Sequence, residues 1–332
     1  MRMSRLVVFI LIAASGILGC SAGTPAALTN AARSARWVAL AHVRGVVDLS
    51  SERPDGRLIV AARGRLFTGR RLRSLGPFAP GYRAPARLEP YIALASHGLA
   101  GRDCRFPAGT LYALRLSRRT GVAAITPGGA ASSFALLPRR GLDNGITFDT
   151  AGRFLHRLLV TNTDRGFATV YAIDCRGHAV VITRGAPRVE GGIAVAPHGF
   201  GRFAGDLIAA DEHSGRLFAF SPSGSWRLLA RSGLPHGPDI GVESLGFVPT
   251  RFRDALVADR GTPGNPHPGD DVVLGLSRSA LWAVGVRAGD LLAVTEGGAQ
   301  TVAVRCRRTC SVRVVATGPP EAHVEGHVVF VR

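Results

Sequence analysis

From residue 37 onward the apolar positions fall in runs of five to seven, broken every 8–12 residues by Gly, Pro, Asp or Asn, and no helical periodicity survives. Short apolar runs between turn residues are the pattern of β-strands joined by tight turns. The runs also repeat. Leu142 to Asp149, Val189 to Pro197 and Val242 to Pro249 each place a polar residue and a small one before a strand that ends in a turn. Second strands follow at Arg157–Asn162, Asp206–Asp211 and Asp254–Asp259. Third strands are expected at Thr169–Ile173 and Arg216–Phe220, and fourth strands at His178–Thr183 and Trp226–Arg231.

Two more starts fit the template, at Glu89 before Thr110–Leu114 and at Glu325 near the end of the chain. Starts at 89, 144, 190, 243 and 325 are 55, 46, 53 and 82 residues apart. The last gap leaves room for a further blade with strands at Asp290–Thr295, Thr301–Cys306 and Ser311–Ala316. An N-terminal copy reads Gly45–Leu49, Arg57–Ala61, Arg65–Thr68 and Arg71–Leu75, with Pro54-Asp55-Gly56 as a tight turn. A four-stranded unit of this length cannot bury both faces alone, so such units stack around an axis. The expected fold is an all-β, six-bladed β-propeller of four-stranded antiparallel sheets over residues 37–332, five blades being the alternative. Val324 to Val331 has no partner after it and is expected to pair with N-terminal strands, closing the ring.

The chain's start alters the picture of where it works. Arg2 and Arg5 precede a continuous apolar run, Leu6 to Ile12, and then small residues. This is a signal peptide, too short to span a membrane stably. It ends in Ile17-Leu18-Gly19-Cys20, which resembles the bacterial lipobox. That resemblance implies cleavage after residue 19, diacylglycerol on Cys20, and a protein tethered to the extracytoplasmic face of the bacterial cell membrane through residues 20–36. Acyl chains anchor by about 0.8 kcal/mol per buried CH₂. Without acylation the protein would be secreted.

Four of the five cysteines remain once Cys20 is set aside, an even number suited to an oxidising compartment. Cys306 and Cys310 are close enough to close a tight hairpin, which leaves Cys104 and Cys175 as a second pair. Zinc is disfavoured, because no Cys-x-x-Cys spacing or histidine pair accompanies them. The formal net charge of +18 comes from Arg, with no Lys in the chain. Total absence of Lys reads as codon usage in a GC-rich genome. The basic surface favours anionic partners such as lipid headgroups or wall polymers. Nucleic acid is not expected, because no binding motif or aromatic-interleaved basic run is present.

Asn144-Gly145-Ile146-Thr147-Phe148-Asp149, followed by Ala151-Gly152-Arg153, is similar to the Asn-Gly-Leu-x-hydrophobic-Asp-x-x-Gly of the senescence-marker-protein/gluconolactonase family. Ser221-Pro222-Ser223-Gly224 resembles a turn after its third strands, and the likeness to NHL-type six-bladed propellers is looser. The resemblance implies one divalent cation near the channel. It supports Asn144 as a ligand, with Glu89, Glu190 or Glu243 as carboxylate partners. An Asp acts in lactone hydrolysis in that family, and no Asp here matches it by position.

The residues themselves point to the same place. The first strand of each blade lines the axis, so Glu89, Asn144, Glu190, Glu243 and Glu325 are expected to form a ring at the channel mouth. Several carboxylates within a few ångströms need raised pKa values or a cation. Oxygen ligands without Cys favour Ca²⁺ first, then Mg²⁺ or Mn²⁺; pairing with Arg, such as Arg44, is the alternative. A cation could tie blades together or activate water for hydrolysis of a small ester or lactone, which would also need a general base. Candidates are Asp259, Asp211 and His236, the last in Pro235-His236-Gly237-Pro238-Asp239 at the ladder end. His97 and His198 fall at the far strand ends and read as turn residues. The insertion Gly264 to Asp271 is placed to cover the mouth. Two other functions compete: a non-catalytic module binding a glycan, wall polymer or partner protein, and a histidine-dependent lyase. No nucleophile elbow, phosphate loop or dinucleotide fingerprint is present.

Overall fold

A computed structural model describes residues 34–332 apart from 86, 98, 102–103, 117–119 and 139. The signal peptide, Cys20 and residues 21–33 lie outside the described residues. Alternating strands and tight turns give six blades, the number expected, each with four antiparallel strands and one with a short fifth strand on its outer edge. Blade 1 is Val46–Leu49, Leu58–Ala62, Arg65–Gly69 and Gly76–Phe78; blade 2 is Ile92–Ala95, Thr110–Leu116, Thr120–Ile125 and Ala131–Leu136. Blade 3 is Leu142–Phe148, Leu158–Asp164, Phe167–Ile173 and Ala179–Pro187; blade 4 is Glu190–Val195, Leu207–Asp211, Arg216–Phe220 and Trp226–Arg231. In each of these the first strand is innermost. The blades seal against one another through apolar faces. Between blades 2 and 3, for example, Phe106, Tyr112 and Phe148 meet edge-to-face at 4.9–5.5 Å.

The last two blades are interleaved, which corrects three expectations. Val242–Phe247 is the inner strand of blade 5, but Asp254–Asp259 does not follow it into that sheet. Asp254–Asp259 and Val272–Ser277 instead form the second and third strands of blade 6, whose inner strand is Val324–Val331. After a short helix, Arg278–Ala283, the chain returns to blade 5 with Leu291–Thr295, Thr301–Cys306 and Cys310–Thr317. The strands expected to make a separate blade therefore complete the one begun at Val242. The C-terminal strand does not pair with N-terminal strands: Val38–His42 lies on the outer edge of blade 6 and Val324–Val331 on the inner edge. Both ends of the chain close the ring by joining one sheet.

The N-terminal boundary and blade 1 also shift. Ala35–Arg36 adds a parallel outer strand to blade 5, so the propeller begins before residue 37. Trp37, buried behind it, donates from Nε1 to Thr301 Oγ1 at 2.8 Å. In blade 1, residues 72–74 form a 3-10 turn and Gly76–Phe78 takes the fourth-strand place expected of Arg71–Leu75. Proline at 77 is tolerated there because that strand is an edge.

The axis is not an open pore. A Cβ on Gly192 of blade 4 would stand 2.2 Å from the Gly326 carbonyl oxygen of blade 6, so only glycine lets these inner strands meet past blade 5. Two cavities lie along the axis. One lies at the beginnings of the inner strands, the other at their ends. Among the described residues no helix is long and apolar enough to cross a membrane.

Candidate functional site: the acidic mouth

In an antiparallel blade the beginning of the inner strand sits beside the end of the second strand. Charged residues at both places therefore share one rim. Glu89, Glu190, Glu243 and Glu325 come from the inner-strand side, and Glu212, Arg260 and Glu296 from the residue just after a second strand. Arg188 and His323 each lie two residues before a glutamate of the first set. Gly191, at φ +80°, leaves room for the Glu243 carboxyl, which a Cβ there would meet at 2.5 Å.

The contacts run as a chain across blades. Arg260 bonds Glu89 and stands 3.2 Å from Glu325 Oε1. Arg188 bonds Glu190 and lies 3.2 Å from Glu212 Oε1. His323 Nε2 is 2.8 Å from Glu296 Oε1 and 3.4 Å from Glu325 Oε1. Tyr91, fully buried, sets its hydroxyl oxygen 2.7 Å from Glu243 Oε1 and 2.8 Å from Glu325 Oε2.

That hydroxyl has one hydrogen and two carboxyl neighbours, so one carboxyl must carry a proton. Burial, and then the charge of Glu325, hold Glu243 well above the ordinary carboxyl range. Burial would raise Glu325 too, but the hydrogen bond from His323 and the charge of Arg260 outweigh it and keep Glu325 below that range. Tyr91 is the donor to both carboxyls, and the further proton is shared within this group. Burial would lower His323, yet its bonds to Glu296 and Glu325 raise it to about 10. Glu212 is pushed up to about 9 by burial and the charges of Glu190 and Glu296. Glu296 is raised by burial. Six carboxyls thus face three basic groups, and protons make up part of the difference.

The ligand atoms of Glu296, His323 and Glu325 all lie within 4.8 Å of one another, and all three residues are buried. Glu296 Oε2 and Glu243 Oε2 have no hydrogen-bond partner. The buried Glu296 oxygen left unpaired beside the His323 and Glu325 donors fits a divalent cation, which would displace the protons held there. Outside this cluster a cavity of about 730 Å³ is lined by Arg87, Asp239, Arg260 and the insertion from Gly261 to Pro266. Of the expected insertion, Gly264 to Asp271, the first three residues line this cavity.

The expected ring is only partly gathered. Glu89, Glu190, Glu243 and Glu325 converge, while Asn144 is drawn aside. Its Nδ2 donates to Val189 O at 2.8 Å and Thr163 Oγ1 at 3.2 Å, and its Oδ1 accepts from Thr161 at 3.3 Å. Asp259 accepts from the backbone amides of His323 at 2.9 Å and Asp270 at 3.3 Å, so it positions the His323 segment. His236 is exposed and contacts Leu234 O at 3.2 Å. Asp211 bonds its own turn, at Ser214 and His213. Arg44 makes no contact with the cluster among the described residues. The cysteines pair as expected, Cys104 with Cys175 and Cys306 with Cys310. Tyr91, Glu212, Arg260, Glu296 and His323 were missed. Their signal was position, two residues from a ladder glutamate or one past a second strand.

Next to Asn144, Asp143 is buried with Oδ1 accepting from Asn162 at 2.8 Å, and burial raises it to about 6. A carboxyl raised in the fold favours folding while protonated and costs stability as pH rises from its unfolded value near 3.8 through 6. The full cost, at most about 3 kcal/mol, applies above pH 6. Asp143→Asn is expected to be the more stable protein at pH 7.5 and to lose that advantage near pH 4, measured by urea denaturation at both pH values.

No protein-family model and no curated protein matches the chain. Solved structures overlap it partially. One from a nidogen/laminin complex has a TM-score of 0.49 at 13% identity over 87% of this chain and 86% of that one. A streptogramin B lyase gives 0.46 at 9% over 83% and 71%. A structure described as a gluconolactonase gives 0.42 at 17% over 68% and 72%. At these identities the likeness is one of fold.

Proposed function

We propose that the acidic mouth binds one divalent cation and serves hydrolysis of a small ester or lactone admitted through the cavity beneath the Gly261–Pro266 segment. The observation that carries this reading is the buried Glu296, His323 and Glu325 triplet, with ligand atoms within 4.8 Å and unpaired carboxylate oxygens beside it. An imidazole among the donors favours Mn²⁺ or Zn²⁺ over the Ca²⁺ suited to oxygen donors alone. Such a cation supplies Lewis-acid polarisation of a carbonyl and a more acidic water. The chain supplies the rest. The Tyr91 hydroxyl holds the Glu243 and Glu325 carboxyls in place. Arg260 and Arg87 line the entrance and orient electronegative groups of a substrate. Glu190 keeps 19% of its side chain exposed and is the carboxylate placed to take a proton from water.

Calorimetric titration of chelator-treated protein with Mn²⁺, Zn²⁺ and Ca²⁺ tests the reading, together with turnover of aryl esters and lactones. One equivalent is expected to bind, and Glu325→Gln to weaken binding at least about tenfold, in the range lost with a supporting ligand. Unchanged binding in Glu325→Gln would remove the site. Binding without turnover would leave the cation and remove the hydrolase.

We also propose export and lipid anchoring, supported by the Ile17-Leu18-Gly19-Cys20 sequence. The wild type should partition into detergent and the membrane fraction, and Cys20→Ser should appear in the aqueous fraction. Equal partition of the two proteins would refute acylation at Cys20.

A further inference from the structure

At the opposite end of the axis the inner strands open into a funnel of about 630 Å³. Its walls include Ile92, Leu94, Ile146, Ile193, Phe247 and Phe330, and its size suits a small organic molecule. Two buried polar side chains, Ser50 and His327, reach this lining from the interior. His327, nine-tenths buried, places Nδ1 3.0 Å from Asp48 Oδ2, while its Nε2 has no hydrogen-bond partner. At the rim Arg251 and Arg332 stand with one carboxylate, Glu52, while Arg53 turns to Asp55 at 3.7 Å and donates to Pro127 O at 2.9 Å. Arg251 is exposed and makes no hydrogen bond or ion pair among the described residues. Apolar walls, an unpartnered ring nitrogen at the floor and exposed basic side chains at the rim are three independent features of one chamber. None of them belongs to the acidic mouth.

We propose that this funnel is a second ligand site, which takes a small amphipathic carboxylate. The hydrocarbon or aromatic body lies against the walls, and the acid group faces the arginine rim. An oxygen at the inner end, where the ligand carries one, hydrogen-bonds with His327 Nε2. The rim charge draws anions in and selects them over neutral molecules of equal apolar area.

The probe is 1-anilinonaphthalene-8-sulfonate, an aromatic anion, titrated into the full folded protein after chelation, with octanoate and octanol as competitors. The expected result is one saturable site, displaced by octanoate at least about fivefold more effectively than by octanol at low salt. Ala194→Trp, which fills the half-buried funnel wall, should weaken the probe about tenfold or more. Arg251→Glu, at an exposed position that leaves the fold intact, should weaken it about fivefold at low salt and by much less at high salt. Absence of a saturable site would overturn the proposal. So would displacement by octanol as strong as by octanoate, or unchanged affinity in Arg251→Glu.

Discussion

Asp48→Ala is expected to destabilise the propeller by about 3–5 kcal/mol, the range for removing one partner of a buried, hydrogen-bonded charge. Asp48 is completely buried in blade 1. Its carboxylate accepts from the backbone amides of Leu49 at 2.9 Å, Ile92 at 2.8 Å and His327 at 2.9 Å, and from the His327 ring. Ile92 belongs to blade 2 and His327 to blade 6, so one side chain fastens three blades where the ring closes. Burial would lower His327, but the Asp48 charge outweighs it and holds the ring above its ordinary range. Alanine leaves two inter-blade amides and the buried His327 ring without an acceptor, and each is costly. Chemical denaturation reads the effect. Asp48→Asn, which keeps one carbonyl acceptor, should fall between the two. A loss under about 1 kcal/mol in Asp48→Ala would show that the ring closes without this clamp.

The second large effect concerns the cysteines. Cys104 lies in the loop leaving the inner strand of blade 2, and Cys175 follows the third strand of blade 3, 71 residues away. Cross-linking a loop of that length removes about 4 kcal/mol of unfolded-chain entropy, whereas the four-residue spacing of Cys306 and Cys310 removes about 2 kcal/mol. Cys104→Ser paired with Cys175→Ser should therefore lower the denaturation midpoint more than Cys306→Ser paired with Cys310→Ser. Equal losses would mean that local geometry, not loop length, sets the contribution.

The blade pattern is legible in the sequence because strand alternation and turn residues are local. Strand partnership is not local. Asp254–Asp259 has the same apolar character as the second strands of blades 3 and 4, and it follows Val242–Phe247 at a similar distance. Nothing in its residues distinguishes pairing with Val242–Phe247 from pairing with Val324–Val331. The choice is made by which sheet edges remain free as the ring closes. The site follows the same division. Glutamates at strand entries recur in the sequence and do converge. Asn144 recurs with them, yet the Val189 carbonyl and two threonine hydroxyls satisfy its amide, and neighbouring backbone of that kind is invisible in a pattern. Arg260 reaches Glu325 and Glu89 only because its strand belongs to blade 6. His323 likewise reaches Glu296 across the interleaved boundary of blades 5 and 6.

Anomalous diffraction from crystals grown with Mn²⁺ tests the central claim most directly. The account predicts one strong peak at bonding distance from the carboxylates of Glu296 and Glu325 and from His323 Nε2, lost in Glu325→Gln. A map without a peak at the acidic mouth, or with its peak on other side chains, would contradict it.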